Sequence, residues 1–163
     1  MADSIMNIDI QDLKEVQKKM EQMTKDITGG PMLNAIRIGT LLVQSSAKKN
    51  LKAWKSPGGP DNAGVDTGRM RSSITPSVSA EKGLFTRGIV GSNVEYAPYQ
   101  EYGTKPHFVS AKNMGNWPKR HGLKPGPVFV SGKALKYLGR ALETSREKIK
   151  ELIESALEAI ARK

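Results

Sequence analysis

Apolar side chains recur at spacings of three and four near the start of the chain: Ile10, Leu13, Val16, Met20, Met23 and Ile27. That rhythm places them on one stripe of an amphipathic helix, with Lys14, Glu15, Lys18, Lys19 and Glu21 on the wet side. Asp9 or Asp12 suits its cap, and Gly29-Gly30 ends it. The stripe is narrow and rich in methionine, so it fits either its own domain or a neighbouring subunit. Pro31 suits the first turn of a second helix reaching about Leu51, with Ile36, Leu42 or Val43, and Ala47 on its buried side. Gly39 within it either admits a close helix neighbour or simply lowers helix stability. Trp54 follows, then a Pro/Gly-rich run from Ser56 to Gly64 that predicts an exposed loop.

The period then changes. Arg69 to Val78 alternates loosely, with Arg69 and Arg71 on one strand face, and Pro76 suggests an edge or a bulge. Leu84 to Gly91 reads as a strand, joined to the first by a turn at Lys82-Gly83. His107 to Ser110 and Val128 to Ser131 look alike, and a Gly/Pro/Lys-rich loop holding Trp117 separates them. If these two pair, the loop reaches out by roughly 25 Å when fully extended. A final amphipathic helix carries Leu138, Leu142, Ile149, Leu152, Ile153, Ala156, Leu157 and Ile160; counted from Gly132 it spans roughly 45 Å. The expected class is α+β: N-terminal helices, one antiparallel sheet of about four strands, and a long C-terminal helix packed on one face. The expected organisation is a single domain: a helical arm over 1–30, a helix over 31–54, a sheet over 65–131 with a basic loop at 111–126, and a helix over 132–163.

Charge adds a second theme. The net charge is +10, and it is unevenly laid out. From Tyr102 to Leu142 there is no Asp or Glu, while Lys105, Lys112, Lys119, Arg120, Lys124, Lys133, Lys136 and Arg140 all fall there. A field of one sign attracts an anionic partner, nucleic acid or an acidic protein face, or simply keeps the surface solvated. Lys105, Lys112, Lys119, Arg120 and Lys124 are the residues expected to face DNA or a protein partner. There is no cysteine, which removes disulfides and thiolate metal sites. No apolar run approaches membrane-spanning length, and the polar, acidic N-terminus is unlike a signal peptide, so a cytosol-like setting without membrane insertion is expected.

Catalysis finds little support. Gly126 to Ala134 is similar to a phosphate-binding loop but has one residue too many between its glycines. Ala134 stands where a magnesium-binding hydroxyl belongs, and Pro127 removes a backbone donor. His107 and His121 are the only histidines, with no carboxylate between them to complete a metal site. Glu95 and Glu101 flank an aromatic segment that sets no defined separation for acid–base work. No catalytic, cofactor or metal residue is assigned.

Two short runs read as architecture. In Val65-Asp66-Thr67-Gly68-Arg69-Met70-Arg71-Ser72-Ser73-Ile74, Asp66 and Thr67 suit side-chain turns onto nearby backbone amides, and Gly68 supplies a conformation that side chains resist. In Tyr96-Ala97-Pro98-Tyr99-Gln100-Glu101-Tyr102-Gly103-Thr104, Pro98 restricts the chain so that Tyr96, Tyr99 and Tyr102 can pack a sheet end, closed by Gly103. The alternative for the tyrosines is an exposed aromatic interface patch.

In this order and register, the two runs resemble those of the tail-completion, or head–tail joining, proteins of long-tailed bacteriophages (the gene-product-ten-like tail components of lambdoid phages). That family carries a V-D-T-G-x-L-x-x-S-I pattern, matched here by Val65, Asp66, Thr67, Gly68, Arg69, Ser73 and Ile74, with Met70 in place of leucine. Its Y-A-x-Y-x-E-x-G-T pattern is matched by Tyr96, Ala97, Tyr99, Glu101, Gly103 and Thr104. Where family members have P-F-(L/M)-R-P-A before the last helix, this chain has Pro127-Val128-Phe129-Val130-Ser131-Gly132-Lys133-Ala134. The resemblance implies a virion protein assembled in the host cytoplasm: a homo-oligomeric, six-fold ring at the head-proximal end of the tail. Its implied partners are the tail tube protein and the connector or adaptor proteins, with non-specific contact to the genome passing through. The rival expectation is a basic nucleic-acid-binding protein, in which Trp117 and His121 stack on bases.

Overall fold

A computed structural model describes residues 10–51, 68–81, 85–120, 124 and 126–162. Asp9, Trp54, the Ser56–Gly64 loop, Val65, Asp66, Thr67, the Lys82-Gly83 turn and His121 lie outside the described residues. The element order is α1 (Ile10–Thr28), α2 (Gly30–Asn50), α3 (Arg69–Ser73), β1 (Ile74–Glu81), β2 (Phe85–Ser92), α4 (Ala97–Tyr102), β3 (His107–Val109), α5 (Ala111–Met114), α6 (Trp117–Arg120), β4 (Val128–Val130) and α7 (Tyr137–Ala161). The mixed helix–strand class and the long C-terminal helix stand as expected.

The sheet does not. In place of about four strands in one sheet there are, among the described residues, two two-stranded antiparallel sheets, β1–β2 and β3–β4. Pro76 inside β1 has no amide to donate, which suits a strand at a sheet edge and not one in the middle. β3 and β4 are three residues each, and they pair with each other as His107↔Val130, Phe108↔Phe129 and Val109↔Val128. Arg69–Ser73 is also not strand but a helical turn, so Arg69 and Arg71 share no strand face. The loop expected to be extended between β3 and β4 holds two short helices, α5 and α6, in its described part. The last helix begins at Tyr137 and not near Gly132.

The chain divides into two compact units. One is drawn from Met1–Gly39, Val78–Gly88 and Lys148–Lys163. Met32, Ala35, Ala156 and Ile160 are its buried core, with Ile36, Leu152 and Ile153 packed against them. Gly39 does serve close packing: a Cβ there would sit 3.3 Å from Ile149 Cγ1. The Thr86 hydroxyl reaches the Ile27 carbonyl at the end of α1.

The other unit is drawn from Thr40–Ser77 and Ile89–Glu147. Its buried residues include Val43, Ala47, Leu51, Met70, Ile74, Val94, Ala97, Leu135, Tyr137 and Ala141. Here the α7 face differs from the one expected. Leu142 is exposed, while Ala141 and Ser145 are buried, and the Ser145 hydroxyl meets that of Ser46 at 3.4 Å. Small residues carry that close contact, and their low hydrophobicity hides it from a pattern built on large apolar side chains.

Candidate functional site

The described part of the first run, Gly68 to Ile74, and the whole of the second fall in this unit, and each holds backbone in place. Gly68 precedes α3 at φ 79°, where L side chains are strained. Its carbonyl accepts the Ser72 amide at 2.9 Å. Met70 and Ile74, four apart, turn inward and are fully buried. Arg71 donates through Nη2 to the carbonyl of Leu51, just past the C-terminus of α2, where a cation meets the negative end of the helix dipole. The Ser73 hydroxyl bonds that of Ser92 at 2.7 Å, and Ser92 Oγ accepts the Val94 amide at 3.2 Å. This short relay leads from the first run to the doorstep of the second.

The second run forms α4 and clasps the start of α7. Pro98 lies in the first turn of α4, where a missing amide costs nothing. Ala97 and Glu101, four apart, are its buried side. That leaves Tyr96, Tyr99 and Tyr102 outward, and Tyr102 is 81% exposed. The expectation that the three tyrosines pack a sheet end is therefore corrected: the inward period belongs to Ala97 and Glu101, and the aromatic patch is on the surface.

Glu101 is the centre of the clasp. Its carboxylate accepts the amides of Leu138 and Gly139, each at 2.9 Å. These are donors of the first turn of α7, which no carbonyl within the helix can satisfy. In return, the carbonyls of Gln100 and Glu101 at the end of α4 accept the amides of Leu135 (2.8 Å) and Lys136 (3.2 Å). Each helix thus supplies the groups that the other lacks. Lys136 sits at φ 51°, unusual for a side-chain-bearing residue, and this reciprocal bonding holds it there.

Gly103 and Gly132 let the two segments touch. Gly103 has φ 80° and Gly132 φ 70°, and Thr104 donates its amide to the Gly132 carbonyl at 2.8 Å. A Cβ on Gly103 would collide with the Gly132 carbonyl oxygen and lie 2.9 Å from the Ala134 nitrogen. A Cβ on Gly132 would collide with the Thr104 carbonyl. So the segment from Pro127 to Ala134 is where the Gly-Thr end of the second run docks. Beside it, Tyr137 is buried, and its phenol is pushed up from 10.0 to about 12 by burial, then by the Glu101 charge and by Tyr102.

Nothing in this constellation presents a nucleophile beside a base. Glu101, the one carboxylate drawn into it, spends its oxygens on α7, while Glu95 is exposed. Among the described residues no group of three His, Cys, Asp or Glu side chains gathers as metal ligands. Among them, too, no helix is long and apolar enough to cross a membrane.

What the surface offers is contact. On α1, Leu13, Val16, Met20, Met23 and Ile27, the stripe expected to be buried somewhere, are all exposed. Lys105, Lys112, Lys119 and Lys124 are exposed as well. Two residues that sequence reasoning passed over stand out. Phe108 and Phe129 face each other across β3–β4, with ring centroids 5.1 Å apart and planes at 56°, and both are exposed. Their alternation within two look-alike apolar runs was the available signal. No protein-family model, no curated protein and no solved structure matches the chain.

Proposed function

We propose that this chain is a structural subunit of a tailed-bacteriophage virion, a homo-oligomeric ring at the head-proximal end of the tail that completes the tail or joins it to the connector. The observation that carries the proposal is the bare stripe on α1. Leu13, Val16, Met20, Met23 and Ile27 form a continuous apolar face in solvent, and surfaces of that kind mark sites of association. A stripe with this spacing fits a groove or a helix on a neighbouring subunit.

The two runs that resemble those of tail-completion proteins support the same proposal, because their described residues, Gly68 to Ile74 and Tyr96 to Thr104, serve as turns, caps and close contacts. A closed ring needs two different, complementary faces on each subunit. The α1 stripe supplies one of them. The ring is six-fold, meets the tail tube protein on one side and connector or adaptor proteins on the other, and needs no cofactor. It acts in the virion after assembly in the host cytoplasm.

The mass of the purified chain in solution, with class averages of its particles, tests the ring. Six-fold rings are the expected result; a monodisperse monomer at high concentration contradicts it. A second function, nucleic-acid binding, is favoured by one feature of its own, the exposed aromatic pair in the acid-free segment.

A further inference from the structure

We propose that the β3–β4 ribbon is a contact for single-stranded nucleic acid, with Phe108 and Phe129 as a stacking platform for bases and the lysines around them holding phosphates. The two faces of the ribbon differ. On one face Val109, Val128 and Val130 are half-buried beside an exposed His107. Phe108 and Phe129 take the opposite positions in the period and remain 71% and 56% exposed. Two phenyls in register, outward, on a ribbon of three residue pairs contribute nothing to the core.

Their surroundings select the partner. Lys105 lies three residues before Phe108 and Lys112 four after it, while Lys124 lies five before Phe129; all three are exposed. No acidic residue occurs in the segment from Tyr102 to Leu142 that carries these lysines. An apolar protein face would cover the rings but gain nothing from the lysines, and an acidic one would do the reverse. An anionic lipid surface calls for a broad apolar face, and this ribbon offers two rings. A single strand presents phosphates and base faces together along its length, as a basic groove with aromatic platforms requires. Bases in a duplex are already stacked, so an unpaired strand is preferred.

The proposal does not depend on the ring: rings that form without binding oligonucleotide would overturn the one and leave the other standing. The probe is a fluorescent oligothymidylate titrated with the full chain across a salt series. Phe108→Ala and Phe129→Ala are each expected to weaken binding by roughly fivefold or more, with the salt slope unchanged. Phe108→Trp is expected to retain the affinity. The combined Lys105→Gln, Lys112→Gln and Lys124→Gln variant is expected to flatten the slope of log affinity against log salt by about 0.7 per lost phosphate contact. Because both rings are exposed, the variants should melt like the wild type, and thermal unfolding checks this.

No binding of the oligonucleotide at low salt overturns the proposal. So does binding that the alanine variants leave intact. Binding to phosphatidylserine vesicles in place of the oligonucleotide does the same. A change of oligomeric state in Phe108→Ala or Phe129→Ala would make the pair a subunit contact and equally overturn it.

Discussion

Glu101 shows how one side chain joins two helices. Its carboxylate caps Leu138 and Gly139, thirty-seven and thirty-eight residues away in the chain, while its own carbonyl receives Lys136. Glu101→Ala leaves two amides of the first α7 turn without an acceptor and is expected to cost about 1–3 kcal/mol. The denaturant midpoint should fall with little change in slope, and Glu101→Gln, which keeps one acceptor, should fall less. Gly103→Ala places a methyl against the Gly132 carbonyl at a φ that side chains resist, with an expected loss of about 2–3 kcal/mol by the same titration. Tyr137 carries a pH signature. Its folded phenol titrates at about 12 against 10.0 for the ordinary group. Between those values the unfolded chain has released a proton that the folded chain still holds, so rising pH favours unfolding. The contribution, about 2–3 kcal/mol, is complete below pH 10 and lost as pH climbs to 12. Tyr137→Phe should remove that part of the alkaline decline in melting temperature, measured beside the wild type.

Long elements were legible in the sequence and short ones were not. The α1 and α2 spans and the turn at Gly29-Gly30 follow from apolar spacing and from Gly and Pro. The helical turn of α3 was hidden because five residues are too few to show a period. In α4, three tyrosines drew attention from the buried pair, Ala97 and Glu101. The Glu101–α7 clasp was invisible to local spacing because its partner lies so far along the chain. At the α1 stripe, the sequence left its own domain and a neighbouring subunit both open. The described stripe is exposed, which favours the neighbour. Met20→Glu with Met23→Lys should therefore shift the assembly towards monomer, read as mass by light scattering, while far-ultraviolet circular dichroism stays unchanged. An unchanged assembly would remove α1 from the interface.

For the whole molecule, net charge and exposed apolar surface are two separate resources. The bare α1 stripe suits association with protein, and the acid-free segment from Tyr102 to Leu142 suits an anionic partner. A ring around a passing genome uses both, which makes the virion proposal more economical than nucleic-acid binding alone. The phosphate-binding-loop likeness at Gly126–Ala134 is absorbed into β4 and the Gly132 contact, with no chemistry left over. The most direct test of the proposed virion role is to block expression of this chain in its proposed phage and image the lysate by electron microscopy. The account predicts filled heads lying apart from tails, or tails of uncontrolled length, with infectivity restored by the wild-type chain. Intact, infectious particles would contradict it.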